Sequence, residues 1–413
     1  MEYAMIHKSL CASDMARLFG IGLVAFCVLP RMLSDGFAQT TPATAPSAAT
    51  QPSPPEERVL DKNLSGLDRV TAMQELLAEP PTRRHAGLWI LVKSDDEENG
   101  PLAAIQLIRE NAMQPAAQLL AAMKHWKPNA QGFFLQRALY DRRSVRSNGV
   151  VLSLARWYLG EGETWWLATS RRGILPVDSA AMLLALADNH MDRALLRTVA
   201  RVRSGSPNCW IALAQAGAVD DASAAVARKV YLDPKANLRD RIAAAVAAAT
   251  QGDPAAANFA VDQIHLLIEN YANKDVLRWT QEAWASGRPA DAHAVAIFTE
   301  NAPVVSWLRF LSTKAARDLV ASSLVVKNMV IRMAAGMAAA ERWPELLLDK
   351  RPAPMINEEY RNLLCLVVDR HPELRAQVEA NLSPGELKAG LHQIETGGPT
   401  AVVGPPGALL VRY

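Results

Sequence analysis

Residues 210–268 read WIALAQAGAVDDASAAVARKVYLDPKANLRDRIAAAVAAATQGDPAAANFAVDQIHLLI. Apolar residues recur there at three- and four-residue spacing, first over Ile211 to Gly217, then over Ala224 to Val230. The pattern continues from Leu238 through the alanines to Ala249 and again from Ala257 to Ile268. This is the period of helices with one buried stripe. The interruptions carry helix-boundary chemistry: Gly217 with Asp220-Asp221, then Asp233-Pro234, then Gly252-Asp253-Pro254. Proline suits the first position of a helix, where its missing N–H is not needed, and these prolines are expected to open helices. Alanine runs such as 243–249 lose no side-chain entropy in a helix and allow close approach of neighbours.

The same texture extends from about residue 56 to about residue 382, with Leu119, Leu120 and Met123 or Leu183, Leu184, Leu186 and Ala187 as examples. Half of the 413 residues are apolar and 21% are charged, which is a globular composition. No alternating stretch of four or more residues argues for a strand before the C-terminal tail. The expected class is therefore all-α, built from stacked antiparallel helix pairs. Net charge is +2, too near zero to point to nucleic acid or to a charged membrane surface.

The stretch 210–268 resembles HEAT repeats, in which an Asp-Pro turn leads to an apolar-Arg pair, an Ala-rich helix, a Gly-Asp turn and a second helix. Here Asp233-Pro234, Leu238-Arg239, 242–249, Gly252-Asp253 and Ala257–Ile268 occupy those places in order. The apolar-Arg start recurs at Val145-Arg146 and Ile331-Arg332, so that Arg146, Arg239 and Arg332 are each 93 residues apart. Half of that interval suits a two-helix unit of about 40–47 residues. The resemblance implies a HEAT/armadillo-like α-solenoid, in which neighbouring pairs hide one another's apolar stripe. Residues 226–236 also fit a tetratricopeptide-like unit, and an α/α toroid is the alternative closure of the same helices.

The N-terminal segment carries a different message. Lys8 and Arg17 precede an apolar run from Leu18 to Leu29, closed by Pro30, and Gly36-Phe37-Ala38 places small residues at −3 and −1 before Gln39. A basic region, a short apolar core and a small-residue site describe a secretory signal peptide over 1–38. The apolar run has about a dozen residues, whereas a spanning helix needs about 20. An uncleaved N-terminal membrane anchor is the alternative. Phe26 before Cys27 argues against a lipoprotein site. Residues 39–58 hold a Pro/Ala/Thr-rich linker that cannot nucleate a core. The helical domain is expected over 59–390 and a Gly/Pro-rich tail over 391–413, where helix is not expected after Leu382. Cleavage at residue 38 would leave Cys209 and Cys365, both in apolar helical contexts. Stacked layers in an open array would hold them far apart, whereas a disulfide needs Cα atoms about 5.5 Å apart.

Motifs for phosphate loops, HExxH zinc sites, CxxC pairs and GxSxG nucleophiles are absent from the sequence. No metal or cofactor is expected. Asp95 to Gly100 opens like a calcium loop, but Gln106 stands where the closing bidentate Glu is required, so a solvated turn with Asn99 capping the next helix is expected. Gly160-Glu161-Gly162-Glu163-Thr164-Trp165-Trp166 combines carboxylates with paired tryptophans. Glu161 and Glu163 are candidate acid and base residues of a glycosidase or polysaccharide lyase, with Trp165 and Trp166 as a sugar platform. The competing reading is an interhelix turn whose tryptophans pack inward. Arg193, Arg197 and Arg201, with nearby Arg203, lie at four-residue spacing and form a candidate anion-binding face, or a solvated one. The leading expectation is a non-enzymatic, exported scaffold for a protein or envelope polymer. A carbohydrate-active enzyme on a toroid is the alternative.

Overall fold

The computed structural model describes residues 53–113, 115–139, 141, 143–160, 176–203 and 206–396. Among these residues every regular element is helical, so the chain is all-α as expected. The α-helices run α1 (Pro55–Leu60), α2 (Gly66–Ala78), α3 (Pro81–Val92), α4 (Asn99–Arg109), α5 (Ala116–His125), α6 (Pro128–Leu139), α7 (Arg143–Arg146) and α8 (Gly149–Gly160). There follow α9 (Pro176–Ala187), α10 (Arg193–Val202), α11 (Pro207–Gln215), α12 (Asp221–Leu232), α13 (Leu238–Ala249), α14 (Pro254–Tyr271), α15 (Val276–Ser286) and α16 (Pro289–Asn301). The 3₁₀ segment Ala302–Phe310 leads to α17 (Lys314–Ser323), α18 (Met329–Arg342), α19 (Glu345–Leu348), α20 (Asn357–Arg370), α21 (Arg375–Glu379) and α22 (Pro384–Thr396). No helix among the described residues is long and apolar enough to cross a membrane.

Local chemistry places these boundaries. Asp253 accepts from the N–H groups of Ala255 and Ala256 at 3.1 Å, and Pro254 opens α14. Asp220 caps α12 through the Ser223 N–H at 2.8 Å, and Asn237 caps α13. Pro234 therefore does not open a helix as expected. It lies in the turn before Asn237, whose side chain supplies the missing acceptor. Gly217 and Gly252 adopt φ of +54° and +82° just past α11 and α13, a left-handed conformation that favours glycine. The chain beyond Leu382 also corrects the expectation, because α22 is a full helix reaching six residues past residue 390. Its start is a capping box: the Ser383 hydroxyl accepts from the Glu386 N–H at 3.3 Å, and the Glu386 carboxylate accepts from the Ser383 N–H at 3.0 Å. Pro384 and Gly385 occupy its first turn, where they begin a helix rather than break one.

Helices α3, α4, α6, α9, α11 and α13 touch in that order, and the row continues through 302–310 to α18, α20 and α22. The return helices pack against it, for example α8 on α9, α12 and α14 on α13, and α17 on α18. Helices α9, α11 and α18 and the segment 302–310 run in the same direction, whereas α3 and α4 are antiparallel, with Arg84 near the start of α3 meeting Glu110 at the end of α4. Asp178 near the start of α9 meets Ser206 at the start of α11, while Arg309 reaches Gln215 at the end of α11 (3.3 Å) and Glu341 at the end of α18 (3.1 Å). The row also returns on itself: α22 packs against α7, and Arg143 lies 3.7 Å from Asp369 of α20.

A recurring side-chain tie joins successive layers. The fourth residue of a helix donates to carbonyls that end or follow the preceding helix. Arg69 bonds Val59 O (2.7 Å), Arg84 bonds Glu79 O (2.8 Å), Gln131 bonds Lys124 O (3.1 Å), Arg241 bonds Tyr231 O (3.0 Å) and Arg332 bonds Val326 O (2.8 Å). These carbonyls are orphaned at helix ends, so each tie satisfies a group that burial would otherwise penalise. Three of the arginines also pair with a carboxylate farther along the chain: Arg69 with Asp96, Arg84 with Glu110 and Arg332 with Glu359. The 93-residue spacing fails at its middle member. Arg239 lies with its guanidinium 5.8 Å from the Trp307 ring, and Arg241 makes the tie in its place.

Small residues set the close approach of the row. All of 242–248 are buried in α13, and α18 is buried from Val330 to Ala340. A Cβ at Gly336 would overlap the end of Leu363 on α20, which makes glycine the residue that lets these two helices meet. Cys209 and Cys365 are both buried and unbridged. Cys209 lies 3.6 Å from the Asp178 carboxylate, and Cys365 packs against Gly390.

Candidate functional site

Helix α2 carries more apolar surface than it buries. Ala72 and Leu76 are enclosed, while Leu67, Val70 and Leu77 are 74%, 45% and 37% exposed. Leu67, Val70, Met73 and Leu77 share one side of the helix, because residues three and four apart are neighbours on its surface. On α4 the residues Leu102, Ile105, Gln106 and Arg109 repeat the same spacing. Met73 and Leu77 of α2, these four residues of α4, Leu88 of α3, Arg137 of α6 and Asp141 line a trough of about 270 Å³.

The end of the trough is charged and built. Asp141 is buried and accepts from Arg109 Nε at 3.2 Å and Nη2 at 2.6 Å, a bidentate pair that holds Arg109 on the rim. The Arg137 guanidinium lies 5.1 Å from the centre of the Phe133 ring, on the exposed surface. The lining provides no cysteine, serine, histidine or second carboxylate. The lining is mainly apolar, with Arg137 exposed at its edge.

A second cluster gathers where α9, α11 and α13 begin. The Asp178 carboxylate is buried and accepts from the Ser206 hydroxyl, from Asn208 Nδ2 at 3.1 Å and from the Cys209 thiol at 3.6 Å. Burial and the adjacent Asp178 push the Cys209 thiol well above its ordinary range, which favours the neutral thiol. Asp240 on α13 is pushed up to about 6 by burial, with Arg239 opposing and Asp178 adding to the shift. Its folded-state pKa stands above the unfolded value, so Asp240 is tolerated while neutral and carries a penalty as pH rises from about 4 to about 6. Asp240→Asn is expected to stabilise the chain by about 1–2 kcal/mol at pH 7 and by almost nothing at pH 4, read from urea midpoints at both pH values. The buried Tyr158 hydroxyl has no hydrogen-bond partner among the described residues; burial pushes it up to about 12, and Arg203 opposes the shift.

The residues singled out from sequence fare differently. Glu161, Glu163, Trp165 and Trp166 lie outside the described residues; their flanks, the end of α8 and the start of α9, carry Tyr158 and Asp178. Arg193, Arg197 and Arg201 do share α10. Arg197 donates to Ala218 O at 2.7 Å and lies 3.5 Å from Asp220, the cap of α12. Hydrogen bonds from Ser223, with Arg197 and Arg201 nearby, hold Asp220 below the usual carboxylate range. Arg193 lies 3.7 Å from Asp188, and Arg201 donates to Arg197 O. This row thus helps to seat α12. In the Asp95–Gly100 turn it is Asp96, not Asn99, that caps α4. Its carboxylate accepts from the N–H groups of Glu98 (3.0 Å) and Asn99 (2.8 Å). Burial works against the Asp96 charge, but these bonds and Arg69 hold its pKa low. No cluster of three or more possible metal ligands occurs among the described residues.

Sequence reasoning missed the trough. Its signal was legible in the apolar spacing of α2, but the meeting of α2 with α4, Arg137 and Asp141 is a matter of packing. Comparison of the chain with protein-family models, with characterised proteins and with solved structures finds no match.

Proposed function

We propose that the chain is an exported, non-enzymatic scaffold of HEAT-like helix pairs that binds another protein through the trough between α2, α4 and α6. The observation that carries the reading is the exposed apolar stripe of α2 beside a preformed groove at the first described layers. An array whose layers contact mainly their neighbours gains nothing from leaving such a face bare unless something else covers it. The recurring Arg and Gln ties support a repeat construction, and the contact of α22 with α7 supports an array whose last described helix folds back on an inner layer. Export rests on the basic, apolar and small-residue pattern of residues 1–38.

A photo-crosslinking residue introduced at Leu77 or Leu102 tests this in the cell that makes the protein. The expected result is one adduct mass shared by both positions and absent from a control at exposed Lys235. Absence of a trough-specific adduct overturns the reading. So does turnover of an envelope polysaccharide that Glu161→Gln or Glu163→Gln abolishes, which would reinstate the glycosidase alternative.

A further inference from the structure

The partner class can be narrowed by the shape and charge of the trough, an inference that rests on the scaffold reading above. The floor on α4 runs from Leu102 to Arg109, two helical turns or about 10 Å, and presents Leu102, Ile105 and Gln106 on one face. Met73 and Leu77 stand along the α2 side, and Arg137 marks the α6 side. A groove between two helices with anchors at helical spacing suits a third helix, whose own apolar side chains at i, i+3 or i+4, and i+7 enter it.

Charge then discriminates among occupants. Asp68 and Glu75 lie on the opposite side of α2 from Met73 and Leu77, by the 100° per residue of a helix. The only carboxylate in the lining is Asp141, which is buried and already engaged by Arg109. Arg137 has no carboxylate within ion-pair distance among the described residues. The rim is therefore cationic. A second copy docked trough to trough would offer only the same lining, whose one carboxylate, Asp141, is buried against Arg109, so it brings no free negative charge to Arg137. Residues 397–413 of this chain, outside the described residues, contain apolar Leu409, Leu410 and Val411 but no Asp or Glu. Neither meets the rim.

We infer that the trough receives an amphipathic helix of another protein, with leucine-type residues on its buried stripe and Asp or Glu along the flank that faces Arg137.

Two synthetic, fluorescently labelled helical peptides with one leucine stripe, flanked by Glu in one and by Lys in the other, test this by anisotropy against the full chain. The Glu-flanked peptide is expected to bind about tenfold or more tighter, a difference that shrinks with added salt. Leu77→Asp should abolish its binding, and Arg137→Glu should invert the preference while circular dichroism and thermal midpoint stay as in the parent. Equal binding of both peptides, binding of neither, or indifference to Leu77→Asp overturns the inference. It is also overturned if light scattering shows a dimer that Leu77→Asp dissolves, or if removing residues 397–413 is needed before the peptide binds. A trough-specific adduct in cells together with a preference for the Lys-flanked peptide would sink the charge assignment and leave the scaffold reading standing.

Discussion

Replacing Glu359 with alanine is expected to lower the unfolding free energy by about 3–5 kcal/mol, because it leaves a buried guanidinium without its counter-charge. Arg332 and Glu359 are both about 5% exposed, and the pair is bidentate at 3.0 and 2.9 Å. The remaining Arg332 donor faces Val326 O and Lys327 O at 2.8 and 3.2 Å, so every part of the group is committed to the α17–α18 connection and to α20. Water cannot replace the lost carboxylate at such a site without opening the layer. Urea denaturation measures the loss, and the double variant Arg332→Met with Glu359→Leu should recover much of it, since both charges are then gone. The comparison pair is Arg317–Glu345, 3.1 Å apart but 42% and 48% exposed. Glu345→Ala should cost only about 0–1 kcal/mol, because solvent already screens that pair. A similar loss at both positions would show that burial does not set the value of these ties.

The second large effect is expected at Phe134→Ala, about 3–5 kcal/mol from lost burial and the cavity left behind. Phe134 is fully buried on α6 and meets Trp126 edge-on with ring centres 5.9 Å apart. The Trp126 indole N–H is fixed on Val92 O at 2.8 Å, so this ring cannot swing in to fill the space. Because α6 touches α4 and α9 in the row, the damage should appear as lost amide-exchange protection from α4 to α9, with α18 to α22 retained. Glu359→Ala should give the opposite pattern. Uniform loss along the chain in both variants would show one globally cooperative unit instead of coupled layers.

The two positions also show how legible each feature was. Ile331-Arg332 stands out in the sequence as an apolar-Arg helix start, and its arginine does tie the layers. Leu238-Arg239 looks equivalent, yet the tie is made by Arg241, two residues on. A two-residue motif cannot report which of two nearby arginines faces the preceding helix end, because that depends on where the turn after Pro234 delivers α13. Likewise, Pro384 and Gly385 argued against a helix, and only the Ser383–Glu386 capping box reveals that they start one.

Helical class, the position of most turns and the apolar stripes were set by local terms: three- and four-residue periodicity, alanine content, and Asp, Asn, Pro and Gly at the boundaries. Those terms act within a few residues, so they can be read along the chain. The partner of Arg332, the glycine contact between α18 and α20, the return of α22 to α7 and the trough between α2, α4 and α6 join residues far apart in sequence. Their energies come from burial and from charges paired in the interior, quantities that exist only once the layers have stacked.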